Sequence, residues 1–260
     1  MVTHAETRPL SDEQLRELVA LTKQADSVEL KLTVPDANQR SAVAALKLDP
    51  LEAQIRQVFF FDTPDLALDK AGLVVRARRV QGEGEDTVIK LRPVVPAALS
   101  PKLRRSAGFG VEVDAMPGGF VCSASLKAKL GASNVVAVAA GRRPVRKLFT
   151  KEQRALYAKH APSGTDLDAL AVLGPINVLK LKFSPKSLGR RMVAELWFYP
   201  DNVRILELST KCQPADAFQV AAEARAYLGS RGVELMGQQQ TKTRTALEFF
   251  SRELSAGSST

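Results

Sequence analysis

Short stretches of alternating apolar and charged residues recur along most of the chain. In 27–34, Ser27, Glu29 and Lys31 alternate with Val28, Leu30 and Leu32. That period of two is the signature of a strand with one apolar face. It returns at 73–80, where Arg76 and Arg78 oppose Val75 and Ala77, and at 87–94, where Lys90 and Arg92 oppose Ile89 and Leu91. It continues at 110–116 (Glu112 and Asp114), at 176–183 (Lys180 and Lys182) and at 204–211 (Glu207, Ser209 and Lys211). Further strands are predicted at 57–64, stopped by Pro64, at 192–199, at 135–140 and 144–149, and at the end of the chain over 238–244.

Between these stretches the pattern changes to helical. Ser11 with Gln14 and Thr150 with Gln153 have the spacing of capping boxes, and they open predicted helices at 11–24 and 150–160. Short helices are predicted at 40–48, at 66–72, closed by Gly72, and at 120–130; longer ones at 214–232 and 244–254. Residues 82–86, rich in Gly and Glu, read as a hairpin tip, and 161–175 as a loop. Residues 1–10 and 255–260 read as disordered ends around one domain spanning 11–254.

A charged strand face is ordinarily a solvated one. Six such strands beside several helices point elsewhere. If helices cover the apolar faces from outside, the charged faces point inward, and closing the sheet removes its edges. The predicted fold is therefore mainly β: a closed barrel with charged lumen and peripheral helices. A lumen holding arginines, lysines and carboxylates needs partners for its charges. A polyphosphate would match the bases, and a divalent cation the carboxylates.

Composition narrows the chemistry. The 260 residues are 45 % hydrophobic and 25 % charged, and carry a net charge of +9, which favours an anionic partner. Only 6 % are aromatic, which disfavours nucleic-acid binding by base stacking. The two histidines, His4 and His160, exclude a histidine-rich zinc site. Two cysteines, Cys122 and Cys212, and the lack of a leader or membrane-length apolar run point to the cytoplasm. Cys122 reads as a small buried hydrophobe and Trp197 as packing.

Residues 27–34 resemble the first-strand Glu-x-Glu-x-Lys signature of the CYTH (triphosphate tunnel) superfamily, which includes class IV adenylyl cyclases, thiamine triphosphatases and inorganic triphosphatases. Residues 59–79, an aromatic-Asp-Thr-Pro strand leading to Arg-x-Arg, resemble its hairpin. The Lys90 strand, the acidic strands at 194–211 and Lys242 fit the later parts, so the resemblance runs from about 27 to 246. It implies an eight-stranded antiparallel tunnel in which Lys31, Arg76, Arg78, Lys90, Lys211 and Lys242 contact phosphates. Arg146, preferred over Arg154, would supply a further phosphate-binding arginine. Arg92, Lys180 and Lys182 join this set through their strand faces. Glu29, Glu195 and Glu207 would hold Mg²⁺ or Mn²⁺, with Glu112 or Asp114 assisting, and Glu29, Lys31 and Glu207 would form the catalytic group.

The implied activity is metal-dependent hydrolysis of inorganic triphosphate, a nucleoside triphosphate or thiamine triphosphate, and the implied partners are triphosphate, a nucleoside triphosphate or polyphosphate. Binding without turnover and adenylyl cyclisation are the alternatives. Two departures bear on the choice: Ser27 and Ser209 stand where the superfamily pattern has carboxylates, so metal binding should be weak.

Overall fold

The computed structural model describes residues 11–233 and 242–257. Nine strands close into one barrel: β1 (Ser27–Val34), β2 (Gln54–Asp62), β3 (Leu73–Val80), β4 (Gly84–Leu91), β5 (Phe109–Met116), β6 (Gly119–Leu130), β7 (Ala171–Phe183), β8 (Met192–Phe198) and β9 (Arg204–Cys212). Their order around the wall is β1-β5-β6-β4-β3-β2-β7-β8-β9. Eight of the nine pairings are antiparallel, and β1 runs parallel to β5. The eight-stranded antiparallel expectation is corrected here on simple grounds. Strand directions cannot alternate all the way round a ring of nine, so at least one pair must be parallel.

The additional strand is β6, predicted as a helix at 120–130. Its Ala, Ser and Lys content favours helix, but pairing with both β4 and β5 outweighs that propensity. Residues 135–140, predicted as a strand, form helix α5 (Asn134–Ala139), and 144–149 contain a 3₁₀ turn at Val145–Leu148. Both present buried apolar residues to the barrel's exterior. The loop predicted at 161–175 gives way to β7 from Ala171.

The remaining helices are α1 (Asp12–Thr22), α2 (Gln39–Ala45), α3 (Ala67–Lys70), α4 (Pro101–Arg104), α6 (Lys151–His160), α7 (Ala217–Ser230) and α8 (Lys242–Gly257). Both capping boxes form, at Ser11/Gln14 and Thr150/Gln153. The predicted disordered end at 1–10, the predicted strand over 238–241 and residues 258–260 lie outside the described residues. Residues 242–244, predicted to end that strand, are the first turn of α8, and residues 255–257 end the helix. Among the described residues no helix is long and apolar enough to cross a membrane.

The wall is apolar outside and charged inside. On β3, Leu73, Val75 and Ala77 are buried under α5 and α6, while Val74, Arg76 and Arg78 face the lumen. On β1 and β5, Val28, Val111 and Val113 are covered by α1 and α7. On β7–β9, Leu181, Ala194 and Leu208 are covered by α2 and α7. Burial of a Leu- or Val-sized side chain contributes about 1.5–3 kcal/mol, so these outer contacts fix which strand face turns inward. One end of the lumen is apolar instead. There Val58, Phe60, Ile176, Trp197 and Ile205 share lumen-facing parity and pack on Ala246 and Leu247 of α8, which stoppers that end.

Candidate functional site: a barrel lumen with one basic and one acidic half

The lumen is a cavity of about 690 Å³. The structure brings together Glu29, Lys31, Arg76, Arg78, Lys90, Arg92, Lys180, Lys182, Glu195, Glu207, Lys211 and Lys242, all read from sequence as site residues. It does not bring Arg146 there. That side chain projects from the 3₁₀ turn outside the barrel, half-exposed, and pairs with Asp168. Val145 and Leu148 of the same turn are buried in the outer core, which fixes Arg146 away from the lumen. Arg154 is also outside, donating to the Phe149 carbonyl at 2.6 Å.

Charge is divided between two contiguous arcs of wall. Strands β6-β4-β3-β2-β7 contribute Lys127, Lys90, Arg76, Arg78, Arg56, Lys180 and Lys182, with Arg92 just past β4. Strands β8-β9-β1-β5 contribute Glu195, Glu207, Glu29, Glu112 and Asp114, with Lys31 and Lys211. Two residues of the basic arc are not among those read from the sequence. Arg56 lies one position before the predicted β2 start but shares parity with Val58 and Phe60. Lys127 sits on β6, whose composition suggests a helix.

On the acidic arc each carboxylate has an ammonium partner. Lys31 Nζ is 2.8 Å from Asp114 Oδ1 and 3.2 Å from Glu29 Oε2. Lys90 and Arg92 reach the other Asp114 oxygen at 3.5 and 3.7 Å. Lys211 pairs with Glu112. Lys180 and Lys242 hold Glu195 at 2.7 and 2.5 Å, and Lys242 also holds Glu207 at 2.7 Å. Burial raises the Asp114 carboxyl, but Lys31 and Lys90 overcome it and hold it at about 2. Burial likewise opposes ionisation of Glu195, yet Lys242 and Lys180 keep it well below the usual carboxylate range.

The basic arc is partly neutralised: Asp86 on β4 accepts from Arg78 at 3.0 and 2.8 Å, Asp114 reaches Lys90 and Arg92, and Glu195 holds Lys180. Among the described residues Arg56, Arg76, Lys127 and Lys182 form no ion pair, and the buried Arg76 Nε has no hydrogen-bond partner. Burial, with Arg78 nearby, pushes the Arg76 guanidinium down to about 10. Burial pushes Lys90 down to about 8, despite Asp114. An anion beside either cation would oppose this destabilisation.

Local backbone fixes Arg92. Asp62 accepts from the Leu68 and Asp69 amides at 2.9 and 3.0 Å, tying the β2–α3 corner. At its far end Gly72, with φ +73°, accepts from the Arg92 amide at 2.8 Å. A Cβ at Gly72 would lie 2.7 Å from the Arg92 carbonyl oxygen. Glycine is therefore required both for the left-handed turn and for the close approach that sets Arg92 at the lumen's edge.

Glu29, Glu112 and Asp114 each place a carboxylate oxygen within 4.8 Å of the others. Three hard oxygen donors fit Mg²⁺ or Mn²⁺ in type. This grouping differs from the expected Glu29, Glu195 and Glu207. Glu195 and Glu207 are register partners on β8 and β9 and share Lys242, while Glu29 is register partner to Asp114 on β5.

The closed barrel has helices outside and a basic arc facing carboxylates inside. No protein-family model matches the chain, and neither does any curated protein. Solved structures do. A candidate adenylate cyclase from Bacillus halodurans superposes with a TM-score of 0.58 at 11% identity, covering 85% of this chain and 97% of that one. HpAC1 from Hippeastrum, a candidate adenylyl cyclase with a dominant triphosphatase activity, superposes with a TM-score of 0.61 at 15% identity, covering 83% and 92%. At these identities the likeness is one of fold.

Proposed function

We propose that the lumen binds the triphosphate group of inorganic triphosphate, a nucleoside triphosphate or polyphosphate, and that the protein is a divalent-metal-dependent phosphohydrolase acting on it. The observation that carries this reading is one cavity in which a basic arc, whose Arg56, Arg76, Lys127 and Lys182 form no ion pair among the described residues, faces a carboxylate-bearing arc. Phosphate oxygens would lie along Arg76, Arg78, Lys90 and Arg56, where charge-assisted hydrogen bonds are the strong ones. Arginine forks suit two oxygens at once, and Lys90 and Lys127 act as point charges.

Glu29, Glu112 and Asp114 would hold Mg²⁺ or Mn²⁺, which supplies Lewis-acid polarisation of a phosphoryl oxygen when bound. Within this chain the arginines stabilise charge spread over the phosphoryl oxygens, and the barrel wall restricts water to what the open end admits. The roles of Lys31 and Glu207 as catalytic groups, and of Lys180, Lys182 and Lys211 as phosphate contacts, belong to the same proposal; Lys242, expected as a phosphate contact, is already engaged by Glu195 and Glu207.

A second reading is binding without turnover, as a polyanion sensor or store. It is favoured by the ammonium partner that each acidic-arc carboxylate already has and by Ser27 and Ser209.

The deciding experiment measures phosphate release from triphosphate, ATP, GTP, thiamine triphosphate and polyphosphate with Mg²⁺, Mn²⁺ or EDTA, alongside calorimetric binding. Micromolar or tighter triphosphate binding with metal-dependent release supports hydrolysis. Binding with no release under any metal supports the second reading. Absence of binding rejects both.

A further inference from the structure

Lys242 is the first residue of α8, an element outside the barrel wall, yet its ammonium lies inside the lumen. It stands 2.5 Å from Glu195 Oε2 and 2.7 Å from Glu207 Oε1. The two carboxylates face each other across the β8–β9 pairing, so one cation bridges two adjacent strands. The Trp197 ring lies under the same ammonium at 5.0 Å, and the Tyr199 hydroxyl donates to the Lys242 carbonyl at 2.9 Å. Ala246 and Leu247, one turn on, are buried in the apolar end of the barrel.

This is the environment of a bound cation: two anionic oxygens from different strands, an aromatic face, and a side chain 13% exposed. The occupant is covalently part of the protein. Lys180 already stands 2.7 Å from Glu195 Oε1, but among the described residues Glu207 has Lys242 as its one ion-pair partner, and without a second cation the two carboxylates would repel each other and Glu207 would carry its desolvation cost uncompensated. The chain supplies an ammonium whose helix is anchored by its own apolar face, and a metal ion entering would have to displace both.

We propose that Lys242 is a built-in counter-cation that takes the place of a divalent ion at the Glu195–Glu207 pair, confining metal binding to the Glu29–Glu112–Asp114 group and seating α8 as the barrel's stopper. This deepens the phosphohydrolase reading by assigning which carboxylates are open to metal. In this role Lys242 is a positioning residue, holding Glu195 and Glu207 in register and not coordinating phosphate first.

The test counts Mn²⁺ bound to the full chain in the absence of any phosphate ligand, by the paramagnetic resonance signal of free Mn²⁺. The variants are Lys242→Met, Lys242→Met with Glu207→Gln, and Glu207→Gln alone. Lys242→Met should bind one more Mn²⁺ than the wild type, and adding Glu207→Gln should remove it. Glu207→Gln alone should leave the wild-type count unchanged. An unchanged count in folded Lys242→Met overturns the proposal. So does a lower count in Glu207→Gln alone, a result that counts even if Lys242→Met does not fold. Triphosphate calorimetry on the same wild-type sample judges the binding reading separately, because the Mn²⁺ count needs no phosphate.

Discussion

Lys31 and Asp114 meet at 2.8 Å across the barrel's parallel β1–β5 pairing. Asp114 is fully buried and serves Lys31, Lys90 and Arg92 together, so one carboxylate offsets much of the repulsion among three cations. Removing it leaves buried charges uncompensated, which typically costs about 3–5 kcal/mol. Asp114→Asn is therefore expected to lower stability by that order in denaturant unfolding, and added triphosphate should recover part of the loss. The sign with pH follows from the depressed value. Asp114 is held at about 2 when folded, against about 3.9 unfolded. Its contribution is present above pH ~4 and is lost as pH falls towards 2. The stability gap between wild type and Asp114→Asn should close over that interval, and a gap unchanged at pH 2 would contradict the assignment.

Arg76 is expected to be useful to the ligand and costly to the empty protein. Its Nε is buried without a partner, and it forms no ion pair among the described residues. Arg76→Met should leave the empty barrel as stable or more stable, because an unpaired buried charge is exchanged for apolar bulk. The same change should weaken triphosphate binding. Charge-assisted hydrogen bonds contribute about 1.5–3 kcal/mol each, so Arg76→Ala with Arg78→Ala should lose at least about 100-fold in affinity by calorimetry. A folded double variant that binds like the wild type would remove the basic arc from the account.

Lys90 gives the lumen a pH dependence within easy experimental reach. Burial holds its ammonium at about 8, below the ordinary 10.5. A phosphate beside it favours the charged form. Above pH 8 binding must therefore take up a proton, and affinity should fall by up to tenfold per pH unit until the bound-state value is passed. The ligand's own ionisation is common to all variants. The reporting quantity is thus the difference in slope between wild type and Lys90→Met over pH 7–9.5, the variant being flatter. Parallel slopes would mean that Lys90 does not meet the phosphate.

How much of this is legible in the sequence depends on where a residue's partners lie. Arg76, Arg78 and Lys90 are readable because each strand's own alternation assigns its faces and the covering apolar residues are its immediate neighbours. Lys127 is not, because the Ala, Leu and Lys that surround it in β6 have a helical local preference, and pairing with two neighbouring strands makes the segment extended. Arg146 is misplaced because the segment 144–149 reads as a strand, whereas Val145 and Leu148 lie three apart, the spacing of a 3₁₀ turn, and anchor such a turn on the outer core. The carboxylates are identifiable singly but not in their grouping. Which of them share a cation is set by β1 lying beside β5, a pairing between segments some 85 residues apart that no local pattern encodes.

The two serines offer the sharpest test of catalytic capacity. Ser27 donates to Glu112 Oε2 at 3.4 Å, beside the Glu29–Glu112–Asp114 group. Ser209, 5% exposed, is the register partner of Lys31. Both therefore border the acidic arc, where a hydroxyl contributes a neutral donor and a carboxylate would contribute charge to a hard cation. As it stands, five carboxylates share Lys31, Lys180, Lys211 and Lys242, and an entering metal must compete with those ammoniums. A ligand bound equally well in ground and transition states gives affinity without rate. The wild type should accordingly bind triphosphate nearly as tightly in EDTA as in Mg²⁺ and turn it over slowly. Ser27→Glu with Ser209→Glu adds two carboxylates without a lysine of their own, and should tighten Mn²⁺ binding by about tenfold or more, with faster metal-dependent phosphate release. Wild-type turnover within the ordinary range of about 1–1000 s⁻¹, abolished by EDTA, would instead mean that the carboxylates already present suffice and that the serines are neutral replacements.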